Sequence, residues 1–408
     1  MLRNLFGGPK KKEGAGFAYL FEKFPSFSQT FCIREAMAVR DSGIEFPVYS
    51  IRKPCDEPLQ DLCDCAGKVT YLPDTFGHIL TEDANFRRAA RKALDELKEL
   101  WGSEEEKRRI YEALWLGPVL KKAGVDHVHV HFAGLGARTA FWLNRLFGIR
   151  YSVTAHANDI FRDEPPERLK QIFEKASLVV TVSDFSLRFL QDNYPTCHAK
   201  FFRVYNGIDT GAFTVSARPA GRPLIVSVGR YIEKKGFRYL VEACAQLKDL
   251  DFECQIIGHG PLNDELKAQV AELGLEGKVD IAGPRSEGEI KALLGRSHLF
   301  VLPCITGSDG AMDNLPTVIM EAMAAGVPCI STALAAVPEM ILDGTTGYVV
   351  PEADTATLAA RMRSLLTNEA QAAEMAHLGL ERARALFDLQ ETSHALTELF
   401  RKHHAIRG

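Results

Sequence analysis

No stretch of the 408 residues reaches the roughly 18 uninterrupted apolar positions that a membrane-spanning helix needs. The opening MLRNLFGGPKKK is not expected to act as a secretory signal, because its apolar part is short and no small-residue cleavage site follows. A basic surplus is missing too. The 49 lysines and arginines stand against 53 aspartates and glutamates, for a formal net charge of −4. General nucleic-acid binders carry such a surplus, so no nucleic-acid partner is expected. A disulfide framework is missing as well. The nine cysteines are odd in number and spread along the chain, which predicts reduced thiols in a cytoplasmic compartment. Cys63 and Cys65, with Cys55 nearby, form the only cluster, and no second CxxC or HxxxH completes a zinc pattern.

A dinucleotide fingerprint is incomplete. Gly134-Leu-Gly136 and Gly258-His-Gly260 each follow a strand pattern and open a helix. The fingerprint also needs an acid about 20 residues on, at the end of the next strand. After the first loop that place holds Thr154, Ala155 and His156, and after the second Asp280 lies inside its strand. Gly258 and Gly260 are read instead as a backbone turn open to close ligand approach.

What is present is an ordinary soluble composition, 46% apolar and 25% charged. Short β-branched runs alternate with helical patterns throughout, the mark of parallel α/β sheets. Strands are expected at Phe17–Phe21, Phe46–Ile51, Lys68–Tyr71, His127–Phe132, Arg150–Ala155, Leu178–Val182 and Phe201–Val204. The second half repeats the alternation at Leu224–Val228, Glu253–Ile257, Val279–Ala282, Leu299–Leu302, Pro328–Ser331 and Gly347–Val350. The fold class is α/β, with two doubly wound Rossmann-like domains facing across a cleft. Residues 1–205 form the first domain, 206–222 a glycine- and proline-rich linker, and 223–387 the second. The final helix, about 388–408, packs back on the first. The linker permits hinging, so closure over the cleft is expected.

Asn85 to Lys122 holds ten basic and seven acidic residues interleaved with Phe86, Leu94, Leu97, Trp101, Ile110 and Trp115. A basic amphipathic hairpin of this kind can rest on an anionic membrane surface. Leu2, Leu5 and Phe6, followed by Lys10, Lys11 and Lys12, add to that reading. The alternative is a helical pair packed on the first domain with a solvated charged face.

Three features of the second half project from carboxyl ends of strands. Gly229 and Arg230 end one strand, and Glu233-Lys234-Lys235-Gly236 follows before a helix. Arginine and lysine suit phosphate oxygens, and cations at a helix start oppose the macrodipole unless an anion sits there. Asp313-Asn314-Leu315-Pro316-Thr317 then leads into a helix that begins near Pro316 and carries Glu321 among apolar residues. Its free amides make an anion site for a diphosphate. Finally, Gly258-His259-Gly260 and Gly283-Pro284-Arg285 end two neighbouring strands and suit the walls of a nucleoside pocket. In the first half, His127, His129 and His131 alternate along one strand face. No carboxylate or cysteine stands at ligand spacing, so no metal site is expected, and His131 at the strand end is placed to line the cleft.

With these residues in view, the sequence resembles the retaining glycosyltransferases of family 4, which have the GT-B fold. The likeness covers nearly the whole chain. The nearest flavour is the bacterial exopolysaccharide and colanic-acid branch, whose members often open with a phrase similar to Phe24-Pro-Ser-Phe-Ser-Gln-Thr-Phe31. The family's acidic pair, spaced E-x7-E, is matched by Asp313 and Glu321, with aspartate in the first place. The resemblance implies that Asp313 contacts the donor hexose and Glu321 the donor ribose. It places Arg230 and Lys235 on the diphosphate and His156 in the first domain's share of the site. Acceptor-side groups are Ser28, Gln29, Thr30 and His131. The implied reaction moves a hexose from a nucleoside-diphosphate sugar to a glycan or lipid-linked hydroxyl acceptor, with no metal and no resident cofactor. Two other readings stay open: a nucleotide-sugar epimerase or inverting enzyme on the same two-sheet plan, and a partner protein that binds a nucleotide sugar without turnover.

Overall fold

The computed structural model describes residues 16–26, 29–54, 68–76, 84–101, 104–215 and 220–406. The chain divides into two compact units. Residues up to Val182, Leu187–Val204 and those from Ser393 onward form the first; Ser183–Ser186 and Tyr205–Thr392 form the second.

Seven parallel strands build the first sheet: β1 (Phe17–Lys23), β2 (Val48–Arg52), β3 (Val69–Tyr71), β4 (His127–His131), β5 (Arg150–Ala155), β6 (Leu178–Thr181) and β7 (Phe201–Arg203). Their order is β3-β2-β1-β4-β5-β6-β7. Parallel sheets are covered on both faces, so their strands read as unbroken apolar runs. Leu178–Thr181 is such a run and is buried throughout. Strand β2 begins at Val48 and not at Phe46, because Pro47 has no N–H to give the ladder; its carbonyl still accepts from Tyr19.

Helices cover both faces. On one, Ala93, Leu97, Ile110 and Leu114, from helices Ala84–Leu100 and Glu104–Lys122, are buried in a core with Phe141 and Trp142 of helix Leu135–Phe147. The apolar stripe of this hairpin is thus spent on its own domain, while Arg87, Arg88, Arg91 and Lys92 face solvent. Helix Leu135–Phe147 pins the second hairpin helix through a buried Arg138–Glu106 ion pair at 2.6 Å and a hydrogen bond of 2.8 Å from the Thr139 hydroxyl to Glu112, which also pairs with Arg109 of its own helix at 2.6 Å. On the other face, Leu396 and Phe400 of helix Leu389–Lys402, and Ile406 after it, are buried in one core with β1, with Phe400 5.1 Å from the Phe17 ring.

The second sheet has six parallel strands: β8 (Leu224–Val228), β9 (Glu253–Ile257), β10 (Val279–Ala282), β11 (Leu299–Leu302), β12 (Cys329–Thr332) and β13 (Gly347–Val350), ordered β10-β9-β8-β11-β12-β13. Strand β12 starts after Pro328 for the reason that β2 starts after Pro47. The described part of the expected linker is packed. Ile208, Thr210 and Phe213 are buried, and the Thr210 hydroxyl donates to Asp388 at 2.5 Å. Among the described residues no helix is long and apolar enough to cross a membrane.

Strand order reverses between β1 and β4 in the first sheet and between β8 and β11 in the second. The carboxyl ends at such switch points are where open α/β sheets hold ligands.

Candidate functional site

At the β8/β11 switch point, the turn Glu233–Lys235 lies against the end of β11. Gly236 closes that turn at φ +66°, and a Cβ there would fall 1.8 Å from the Pro303 carbonyl oxygen. Only glycine allows this approach. It places both lysines on one carboxylate: Lys234 Nζ is 2.7 Å from Asp313, and Lys235 Nζ binds the other oxygen. Burial alone would raise the Asp313 pKa, but Lys235 and Lys234 hold it well below the usual carboxylate range. Burial would lower Lys235, but Asp313 raises it on balance. Asp313 is therefore the anion that lets two lysines sit before helix Phe237–Ala245. Its loop is tied down further, since Glu233 accepts from the amide and hydroxyl of Ser308 at 3.0 and 2.7 Å.

Gly229, at the end of β8, leaves room for the Lys235 stem; a Cβ there would lie 3.3 Å from its carbons. Arg230 is exposed beside them. The helix Thr317–Ala324 follows Asp313, with Pro316 at its N-cap and Leu315 buried. Asn314 is buried and bonds to the hydroxyls of Ser183 and Ser186 at 3.0 and 2.6 Å. Glu321 is half-buried between buried Met320 and Ala322.

At the β1/β4 switch point, His131 is 1% exposed. Its Nε2 lies 3.0 Å from Glu35 Oε1, and its Nδ1 lies 3.0 Å from His156 Nε2. Glu35 also accepts from the Tyr19 hydroxyl at 3.0 Å. Burial pushes His131 down, yet Cys32 and Glu35 carry it up to about 10. His156, at the end of β5, is buried between Phe31 and Phe132, with ring centroids 4.8 and 4.4 Å away. Burial and then the His131 charge hold its pKa well below the ordinary value. Its backbone N–H donates to Asp159. Ligand-type atoms of Cys32, His131 and His156 lie within 4.8 Å of one another, as do those of Glu35, His129 and His131.

Residues 212–382 match the family profile of glycosyl transferases group 1, and residues 72–212 that of glycosyltransferase family 4. Over 369 residues the chain is 31% identical to the colanic acid biosynthesis glycosyltransferase WcaL of Salmonella typhimurium, spanning 85% of this chain and 89% of WcaL. The chain belongs to the family 4 glycosyltransferases. This glycosyltransferase is also 35% identical over 259 residues to the amylovoran biosynthesis glycosyltransferase AmsK of Erwinia amylovora, across 61% of this chain and 62% of AmsK. Its fold is GT-B. A glycosyltransferase of Rickettsia africae superposes with a TM-score of 0.73 at 18% identity, over 95% of this chain and 98% of that one. Anabaena HepE, solved with UDP-glucose, gives 0.70 at 16% identity, over 95% of this chain and 99% of that one.

The glycosyltransferase brings Gly229, Arg230, Lys235 and Asp313 together at one strand crossing. His259, Pro284 and Arg285 are exposed after β9 and β10. Gly258 and Gly260 are half-buried, and neighbouring backbone alone requires glycine at both. A Cβ at Gly258 would lie 1.9 Å from the Gly229 carbonyl oxygen, and one at Gly260 would lie 2.5 Å from that of Tyr231. The two glycines therefore do not by themselves mark an opening. His131 does not line an open surface either; it is enclosed by Tyr19, Phe21 and His156. Gln29 and Thr30 are half-buried at the start of helix Thr30–Asp41, and Ser28 lies outside the described residues. The Cys55, Cys63 and Cys65 cluster and the residues before 16 also lie outside them.

Sequence reasoning missed Lys234, Tyr19, Cys32 and Glu35. Cys32 and Glu35 stand three apart on one helix, a spacing that faces one side and signals a shared target. The absence of a cysteine or carboxylate near the histidines holds along the chain but not in space.

Proposed function

We propose that this glycosyltransferase moves a hexose from a nucleoside-diphosphate sugar to a hydroxyl acceptor with retained anomeric configuration, without a metal. The acceptor is a glycan or lipid-linked intermediate of exopolysaccharide or lipopolysaccharide type, and the names of WcaL and AmsK, with colanic acid and amylovoran biosynthesis, favour the exopolysaccharide class. The observation that carries the reading is the pair Lys234 and Lys235 held by Asp313 at the β8/β11 switch point, with Arg230 exposed beside them.

In the reaction the bond from the anomeric carbon to the diphosphate oxygen breaks, and the diphosphate leaves with the electron pair. The acceptor oxygen bonds to the same face of that carbon, and its proton passes to the departing phosphate. Charge grows on the leaving group, so fixed cations aimed at it lower the barrier. One such contact at about 4 Å is worth on the order of 4 kcal/mol at an effective dielectric of 20, before desolvation. Lys235 and Arg230 supply it, with the Pro316 helix start adding its amides. Asp313 holds Lys235 charged and in place until donor arrives, then turns to a hexose hydroxyl. Glu321 takes the ribose hydroxyls, and His156 orients the hexose or acceptor.

Any contact of the charged hairpin with an anionic membrane surface runs through Arg87, Arg88, Arg91 and Lys92, since its apolar residues are already packed. Nothing in this reading places the protein outside the cytoplasm.

The test is release of nucleoside diphosphate from a panel of donors by purified protein in chelator, with a lipid-linked acceptor extract present. Glycoside formation is expected with one donor class, and Lys235→Ala should lower kcat/KM about tenfold or more. Unchanged kinetics in that variant contradict the assignment. Epimerised sugar or binding without product would each favour a different function.

A further inference from the structure

On β4 and β5, His127, His129 and His131 face the same side of the first sheet as Ser152, Thr154 and His156, and all six are buried. The inner part of this ladder is closed on itself except at His127 Nδ1, which is buried with no hydrogen-bond partner among the described residues. Ser152 Oγ lies 2.9 Å from His127 Nε2 and 2.8 Å from His129 Nδ1, and Thr154 Oγ1 lies 3.0 Å from His129 Nε2. The outer part differs in kind, because His131 has a carboxylate on one side and an imidazole on the other.

A carboxylate only accepts, so the 3.0 Å contact with Glu35 puts a proton on His131 Nε2. The 3.0 Å contact between His131 Nδ1 and His156 Nε2 needs one further proton, on one ring or the other. The groups around His131 decide which. From β1 come Tyr19 and Phe21, from helix Thr30–Asp41 come Cys32 and Glu35, from its own strand His129, and from β5 His156. The Glu35 carboxylate lies 3.0 Å from His131, so its charge favours a proton on that ring. His129 and His156 are both pushed down by burial. His131 is therefore the ring that carries both protons, and His156 is the acceptor. A neutral imidazole that accepts at one nitrogen holds its proton on the other. The backbone marks the same place: Phe132, directly after His131, sits at φ +68°, and its ring lies 4.4 Å from that of His156. Non-glycine residues are held in that region mostly where function requires it.

We propose that Glu35 and His131 are positioning residues that fix the tautomer of His156, with Nε2 as acceptor and the proton on Nδ1. This rests on the reading that His156 serves the transfer site. The relay puts a donor at His156 Nδ1 and keeps the ring from acting as a base. That fits a reaction in which the departing phosphate takes the acceptor proton.

The experiment is long-range proton–nitrogen correlation on the full-length protein labelled with ¹⁵N-histidine, in the wild type and in Glu35→Gln, alongside steady-state kinetics. At about pH 7 the wild type should show His131 doubly protonated and His156 protonated at Nδ1 alone. Glu35→Gln keeps the size and the acceptor but removes the charge. His131 should then become neutral with its proton on Nε2, and the His156 proton should move to Nε2. The variant should lose about tenfold or more in kcat with the donor KM within about twofold, and Glu35→Asp should restore part of kcat. A neutral His131 in the wild-type spectrum overturns the proposal by itself, whether or not the variant folds. So does a His156 tautomer that Glu35→Gln leaves unchanged, or one equivalent of zinc bound to the purified protein and lost in Cys32→Ser. If no donor is turned over, the function reading fails while the spectra still decide the relay.

Discussion

At Asp313 one carboxylate holds two ammonium groups, and at His127 a ring sits in the core with no charge at all. Both are costly polar groups in an apolar setting, and they are kept by opposite means. Asp313 stays ionised because its partners are ionised. His127 stays neutral because burial pushes its pKa from 6.5 down to about 3, and a proton would have no acceptor beyond Ser152. The sign of the pH effect follows. The unfolded chain takes up a proton near pH 6.5 that the folded chain refuses, so the penalty is absent above that pH and grows as pH falls towards 3. By pH 5 it reaches about 2 kcal/mol, at about 1.4 kcal/mol per tenfold change in proton activity. Urea unfolding of the wild type and His127→Gln should therefore differ by about 2 kcal/mol less at pH 5 than at pH 7, and a constant difference would contradict the assignment. At this scale the sequence was readable where chemistry lay along the chain. Arg230, Lys235 and Asp313 were singled out from their loops, and the structure brings Lys235 and Asp313 into contact. Glu35 was not, because its partner His131 lies 96 residues away and only the β1/β4 crossing joins them.

Strand ends are the elements on which the site depends. Tyr231, just past β8, is fully buried, and its hydroxyl donates to the Ile256 carbonyl at 2.8 Å and also meets that of Ala282. The carboxyl ends of β8, β9 and β10 are gathered around this one ring. Gly258 completes the junction by letting the backbones of β8 and β9 touch. Gly258→Ala should destabilise the protein by about 3 kcal/mol or more, because the new Cβ meets a carbonyl and not a movable side chain. An unchanged urea midpoint would show that the strand ends part freely. Periodicity and apolar runs identified these strands within about two residues of their bounds. The purpose of the glycines was not readable, since a glycine spared for a ligand and one spared for a neighbouring strand look alike in sequence. The hairpin 84–122 was ambiguous in the same way: its apolar stripe suits a membrane or a core, and only the packing of Ile110 and Leu114 on Phe141 and Trp142 tells them apart.

Over the whole molecule, two sheets of the same winding each place one cluster of charge at one switch point. The alternation of strands and helices made that plan visible from sequence. The final helix was expected against the first domain; residues from Ser393 onward belong to the first unit, and Phe400 packs on Phe17. The two clusters do different work in the account. In the proposed reaction, lysines and arginine of the second unit take the charge of a leaving diphosphate, and a neutral histidine of the first unit donates a hydrogen bond without taking a proton. The proposed course is transfer on one face of the sugar. The direct measurement is the anomeric proton coupling of the product glycoside, read by NMR during turnover of an α-linked donor. The account predicts an α-linked product from the first turnover, and a β-linked product would contradict it.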